Sequence, residues 1–117
     1  YIDDDSEHAA TAENNLAHAY WEFGQDAEAL EHAERAIEID ERFAEAWFNR
    51  AFFLNERGLA EQALESVENA IRLGYEAAPV LEEKVRALEA LGEYDEAEEV
   101  AEKAERIRER AEQELVG

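Results

Sequence analysis

Three of the five glycines, Gly24, Gly58 and Gly92, stand 34 residues apart and then 34 again. A fixed period of this length marks an array of stacked units, each too small to bury its apolar face alone, and it constrains the fold before any local signal does. Six further columns keep the same beat: Ala10, Ala44 and Ala78; Ala17, Ala51 and Val85; Tyr20, Leu54 and Leu88; Ala29, Ala63 and Ala97; Ala36, Ala70 and Ala104; Ile39, Leu73 and Ile107.

Each unit reads as two amphipathic helices around its glycine. Leu16, Ala19, Tyr20 and Phe23 follow the i, i+3, i+4, i+7 spacing that sets one apolar stripe on a helix. Gly24 then ends that helix, since it takes a positive φ without a Cβ clash. Ala29, Leu30, Ala33, Ala36 and Ile37 form the next stripe, which opens at Asp26, where a negative charge favours a helix N-terminus. Ala29 and Ala36 fall where paired helices approach closely. The expected fold class is all-α, a superhelical stack of three helix-turn-helix repeats over 10–43, 44–77 and 78–111, with the last helix extended through 112–117. Helices are predicted near 9–23, 26–40, 44–57, 60–73, 79–91 and 94–115, with Pro79 in a first turn, where its missing N–H is not needed.

The end of the stack is legible too. Where a second helix must meet the next unit the sequence has Leu30 and Ile37, then Leu64 and Ile71, then Glu98 and Glu105. The third unit therefore caps the array. Pairs at i, i+4 on that last helix, Glu99 with Lys103, Glu102 with Arg106 and Arg110 with Glu114, suit a solvated helix. Read backwards by the same period, Tyr1 to Ala9 fits no second helix and is expected to be an acidic linker or a frayed start.

Composition excludes several functions. The length suits one domain. With 11 Lys and Arg against 32 Asp and Glu, the net charge of −21 repels phosphate, so no nucleic acid and no anionic membrane is expected as a partner. An apolar content of 46% is too high for an acidic disordered tail. No Cys and no Met removes disulfides, thiolate chemistry and Cys-based metal sites. No apolar run suits a spanning helix, and the acidic opening is no signal peptide. The expectation is a soluble, cytoplasmic chain, and a start at Tyr1 suggests a piece of a longer protein. His8, His18 and His32 are scattered with no nucleophile beside them, Asp3, Asp4, Asp5, Glu7 and His8 lack the spacing of a calcium loop, and Glu28 with His32 has no third ligand. No enzyme activity, metal or cofactor is expected.

These residues together resemble the tetratricopeptide repeat family, whose pattern has an aromatic or apolar residue near the fourth position, Tyr at the eleventh, Gly at the fifteenth, Ala at the twentieth and twenty-seventh and Pro at the thirty-second. The matching residues are Leu16, Ala17, Tyr20, Gly24, Ala29 and Ala36 in the first unit, Trp47, Ala51, Leu54, Gly58, Ala63 and Ala70 in the second, and Leu81, Val85, Leu88, Gly92, Ala97 and Ala104 in the third. The resemblance covers residues 10–111. It departs where Glu41, Tyr75 and Glu109 replace Pro, and where Glu13, Arg50 and Lys84 intrude among apolar positions.

The resemblance implies a protein-interaction scaffold whose first helices line a concave groove. Carried over position by position, the groove would present Asn14, His18, Trp21, Glu45, Phe48, Asn49, Phe52, Glu56, Glu82 and Arg86, with Thr11, Glu22, Asn55, Pro79, Glu83, Glu89 and Ala90 around them. Phe48 and Phe52, at i and i+4, share one face and with Trp21 make an aromatic patch, while Tyr20, Trp47 and Leu54 serve the core. The chaperone-binding members of the family hold a C-terminal carboxylate with Lys, Asn and Arg; the matching residues here are Asn14, His18, Asn49, Pro79 and Glu83, of which only Asn49 fits. The implied partner is a protein or peptide with apolar anchors and basic flanks, the chain itself being a monomer or weakly self-associating.

The acidic surface has two further readings. Nine Arg, two Lys, 26 Glu and six Asp resemble the surfaces of proteins from salt-loaded cytoplasms, but a Glu excess is also what helix propensity accumulates. An acidic helical rod is alternatively a mimic of nucleic acid, or a self-association module, acting through its charged outer face.

Overall fold

The computed structural model describes the backbone of residues 4–116 and the side chains of residues 5–116. Tyr1, Ile2, Asp3 and Gly117 lie outside the described residues, and with them part of the expected acidic linker. Among the described residues the regular structure is six helices: α1 (Asp4–Glu22), α2 (Asp26–Ile39), α3 (Ala44–Glu56), α4 (Ala60–Arg72), α5 (Ala78–Ala90) and α6 (Tyr94–Val116). They form three helix pairs, α1 with α2, α3 with α4 and α5 with α6, and α2 and α4 also pack on the first helix of the following pair. At the N-terminus α1 begins at Asp4, so residues 4–9, expected to be an acidic linker or a frayed start, lie in its first turns. Nothing between Asp4 and Ala10 supplies a helix stop, and Ala9, Ala10 and Ala12 favour continuation.

The 34-residue period sets the turns. Gly24, Gly58 and Gly92 have φ of 76°, 77° and 80°, and the amide one residue past each glycine bonds back across the turn: Gln25 to Tyr20 O, Leu59 to Leu54 O and Glu93 to Leu88 O, each at 2.9 Å. These are the closures of a glycine-ended helix. Between pairs, where the family places Pro, two other devices operate. Asp40 accepts the Arg42 amide on its carboxylate at 3.0 Å, and Gly74, at φ 97°, lets the Tyr75 amide reach Ala70 O at 3.0 Å. Pro79 sits in the first turn of α5, as expected.

The core is a seam of small residues with large ones filling beside them. Ala17, Ala29, Ala33, Ala36, Ala51, Ala63, Ala70 and Ala87 have no exposed area. Alanine at these crossings lets helix axes approach, and Phe53, Leu54, Val67, Val80 and Leu88 occupy the space between layers. Two of the polar intrusions, Glu13 and Arg50, are matched by partners. Glu13 Oε2 lies 2.5 Å from His32 Nδ1, whose ring stacks on Tyr20 at 5.0 Å. Arg50 donates to Ser66 Oγ at 2.6 Å and to Glu34 Oε2 at 3.1 Å. Trp47 is half-buried and donates Nε1–H to Glu41 O at 2.9 Å.

At the far end Glu98 and Glu105, on the face of α6 that corresponds to Leu30 and Ile37 of α2, are exposed among the described residues. The expected Glu99–Lys103 pairing gives way to a bridge from Lys103 to Glu76 at 2.9 Å, because α6 passes beside the turn before α5. At the near end the stripe of Leu16, Ala19, Tyr20 and Phe23 does not point wholly into the core. Leu16 is 43% and Phe23 82% exposed, and the buried side of α1 is instead Ala10, Asn14 and Ala17.

Candidate functional site

The first helices of the first two pairs converge on an apolar hollow. Its walls are His18, Trp21, Phe48, Asn49, Phe52 and Phe53, and its volume is about 230 Å³. Trp21 comes from the last turn of α1; the others except His18 are consecutive turns of α3, which the repeat arithmetic places one layer further on. Trp21 meets the Phe52 ring edge-on at 5.0 Å and lies 5.5 Å from Phe53. Phe48 and Phe52 do not stack on each other. Phe48 turns edge-on to Tyr75 at 5.7 Å, in the turn before α5, while Phe52 serves the Trp21 side. Such edge-to-face contacts hold rings open at fixed angles, so the hollow is preformed.

Arg86 closes one side of this patch. Its guanidinium lies 5.9 Å from the Phe52 ring centroid, within the range of a cation–π contact. It also donates to Glu56 Oε1 at 2.8 Å and to Glu83 Oε1 at 3.0 Å. Asn55 donates to the same Glu83 carboxylate at 3.0 Å, which is how Glu83 is accommodated at only 8% exposure.

Several expected groove residues therefore have other work. Asn14 and Asn49 are each 4% exposed, and Asn49 Nδ2 donates to Asn14 Oδ1 at 2.8 Å. This buried amide pair ties α1 to α3, and only Asn49 also borders the hollow. Glu56 is bound to Arg86, and Glu82 is paired with Arg108 of α6, because the extended last helix reaches back across α5. Neither carboxylate stands unpaired for a basic ligand. Glu45 and Glu22 are exposed and carry no ion pair among the described residues. Phe53 and Tyr75 were absent from the expected site. Phe53 is adjacent to Phe52 and apolar, a signal present in the sequence, but its position reads equally as core, where at 2% exposure most of it lies.

Two family models described as tetratricopeptide repeat match the sequence, over residues 12–53 and 78–110. No curated protein matches the chain. Among solved structures, the crystal structure of MamA aligns with a TM-score of 0.81 and 23% identity, covering 90% of this chain and 61% of that one. This chain thus spans less than two thirds of the MamA chain. The Arabidopsis OM64 TPR domain aligns at 0.81 with 21% identity, over 85% of this chain and 82% of that one. The second TPR of Spaghetti (RPAP3), bound to the HSP90 peptide SRMEEVD, aligns at 0.84 with 22% identity, over 88% of this chain and 95% of that one. At such identities the likeness is one of fold. The glycine period, the helix pairs and the two matching models agree, and the chain belongs to the tetratricopeptide repeat family.

Proposed function

We propose that this chain is a protein-interaction scaffold, acting by binding and not by catalysis, whose groove takes an apolar side chain of a peptide or protein segment into the hollow between Trp21, Phe48 and Phe52. The observation that carries this reading is the hollow itself: preformed aromatic walls around about 230 Å³, room for one large side chain, on a surface otherwise crowded with carboxylates. His18 and Asn49 supply polar edges for the ligand backbone. Lys or Arg flanking the anchor meets Glu45 and Glu22, two exposed carboxylates beside the groove with no ion pair among the described residues. Glu56, Glu82 and Arg86 hold the frame instead of the ligand, since their charges are already matched.

The ligand differs from that of the Spaghetti TPR, which is titled as bound to SRMEEVD. Here an acidic tail would approach Glu45 and a net charge of −21, with Arg86 engaged by two carboxylates. The test is calorimetry with two synthetic peptides sharing one Trp anchor, one flanked by Lys and Arg and the other by Asp and Glu. The basic peptide is expected to bind, with Phe48→Ala or Phe52→Ala costing about 2 kcal/mol, and with Glu45→Gln flattening the salt dependence. Tighter binding of the acidic peptide, or unchanged binding to both folded phenylalanine variants, refutes the proposal. A mimic of nucleic acid would lose affinity for a basic protein through Glu99 and Glu102 and ignore both phenylalanines.

A further inference from the structure

The rings that wall the hollow are inclined to one another. Trp21 and Phe52 meet at 80° with centroids 5.0 Å apart, and Phe53 is tilted by 35° from Trp21 and by 67° from Phe52. Two rings set edge-on enclose a corner with a ring face on each side, so a group lodged there meets π faces as well as edges. Those faces are the negative part of the ring quadrupole and attract cations. The protein already uses one of these rings in that way: the Arg86 guanidinium lies over Phe52, 5.9 Å from its centroid. Arg86 is not among the walls of the hollow, so that contact lies outside it.

Charge and hydrogen bonding narrow the cation. A net charge of −21, with exposed Glu22 and Glu45 beside the hollow, favours a positive ligand. Yet the walls include no carboxylate to receive N–H donors. Their polar groups are His18 and Asn49, and Asn49 Nδ2 is already donated to Asn14. Glu56 and Glu83, the carboxylates nearest to Phe52 on the α5 side, are bound to Arg86. A lysine ammonium or a guanidinium inside the hollow would give up hydrogen bonds to water that these walls do not replace. A trimethylated ammonium has no N–H to lose. Its charge lies within a methyl shell, which is the apolar surface that aromatic walls accept, and about 230 Å³ has room for one such side chain.

We propose that the hollow is a cage for a trimethylated lysine carried on a peptide segment of a partner protein. The proposal rests on the groove reading above and names the anchor that the groove takes. The methyl shell fills the hollow, the ring faces of Trp21 and Phe52 hold the charge, and neighbouring basic residues of the segment meet Glu22 and Glu45. A neutral side chain of the same shape gains the burial alone.

The probes are three synthetic peptides with the same arginine flanks, differing only at the anchor. One carries trimethyllysine, one lysine, and one the neutral analogue in which carbon replaces the ammonium nitrogen. Binding to the full chain is measured by calorimetry, with circular dichroism confirming that each variant is folded. The trimethylated peptide is expected to bind at least about tenfold more tightly than either of the others. Phe52→Leu keeps an apolar side chain and removes the ring. It is expected to weaken the trimethylated peptide at least about fivefold more than it weakens the neutral analogue. A neutral analogue that binds as tightly as the trimethylated peptide, or loses as much in Phe52→Leu, overturns the cage and leaves the groove with a neutral apolar anchor intact. A lysine peptide that binds equally well overturns it too, since charge alone would then account for binding. Free choline binding as tightly as the peptide overturns the assignment to a peptide. If no anchor, Trp included, gives binding that Phe48→Ala or Phe52→Ala weakens, the groove reading falls together with the cage.

Discussion

Alanine to leucine at one repeat column separates burial from chemistry in this fold. Ala63 has no exposed area and sits between Leu54 and Ala87, with Leu30 and Leu64 against it. It sets how closely α4 approaches its neighbours. A leucine there has no void to enter, so the helices must part, at a cost of about 1–3 kcal/mol. For a chain of this size each kcal/mol moves the melting temperature by roughly 4 °C, so the expected loss is about 4–12 °C. Ala101→Leu is the control. Ala101 belongs to the column of Ala33 and Val67, both fully buried, yet it is exposed because no helix among the described residues packs on that face of α6. The same substitution there should change stability by under about 0.5 kcal/mol. Glu98→Leu, in the column of Leu30 and Leu64, should likewise be near neutral in stability and should raise self-association by leaving an apolar patch. Thermal and urea unfolding by circular dichroism, with unchanged m values, reads all three. If Ala63→Leu melts with the parent while Ala101→Leu or Glu98→Leu falls by several degrees, the assignment of buried and capping faces is wrong.

The buried amide pair should behave as a unit: Asn14→Ala or Asn49→Ala alone leaves a polar group unmatched and costs about 1–3 kcal/mol, while the double variant costs clearly less than the sum; strict additivity in a urea double-mutant cycle would deny the bond between them. Added salt should raise the melting temperature, because the Debye length falls from about 10 Å at 0.1 M to about 3 Å at 1 M and carboxylates repel over the whole surface. A salt-requiring protein would be only marginally folded in dilute buffer; a sharp melt there, unchanged by salt, removes that reading and leaves the fold as described.

The period of 34 was enough to determine the helix pairs, their glycine-closed turns and the alanine crossings, because each follows from residue size and conformation at a fixed spacing. Trp21, Phe48 and Phe52, which the family resemblance assigns to a groove, border one hollow. Charge pairing was not legible. Glu56 and Glu82 sit at groove positions, yet which cation each meets depends on Arg86 and Arg108 reaching across from other helices, contacts made through space with no fixed spacing in the chain. The same limit hid the Asn14–Asn49 bond, which joins residues 35 apart on two different helices. It hid the true orientation of α1 as well. A helix with small residues on two sides has two candidate apolar faces, and only the packing of α2 and α3 selects Ala10, Asn14 and Ala17 for the core and leaves Leu16 and Phe23 facing outward.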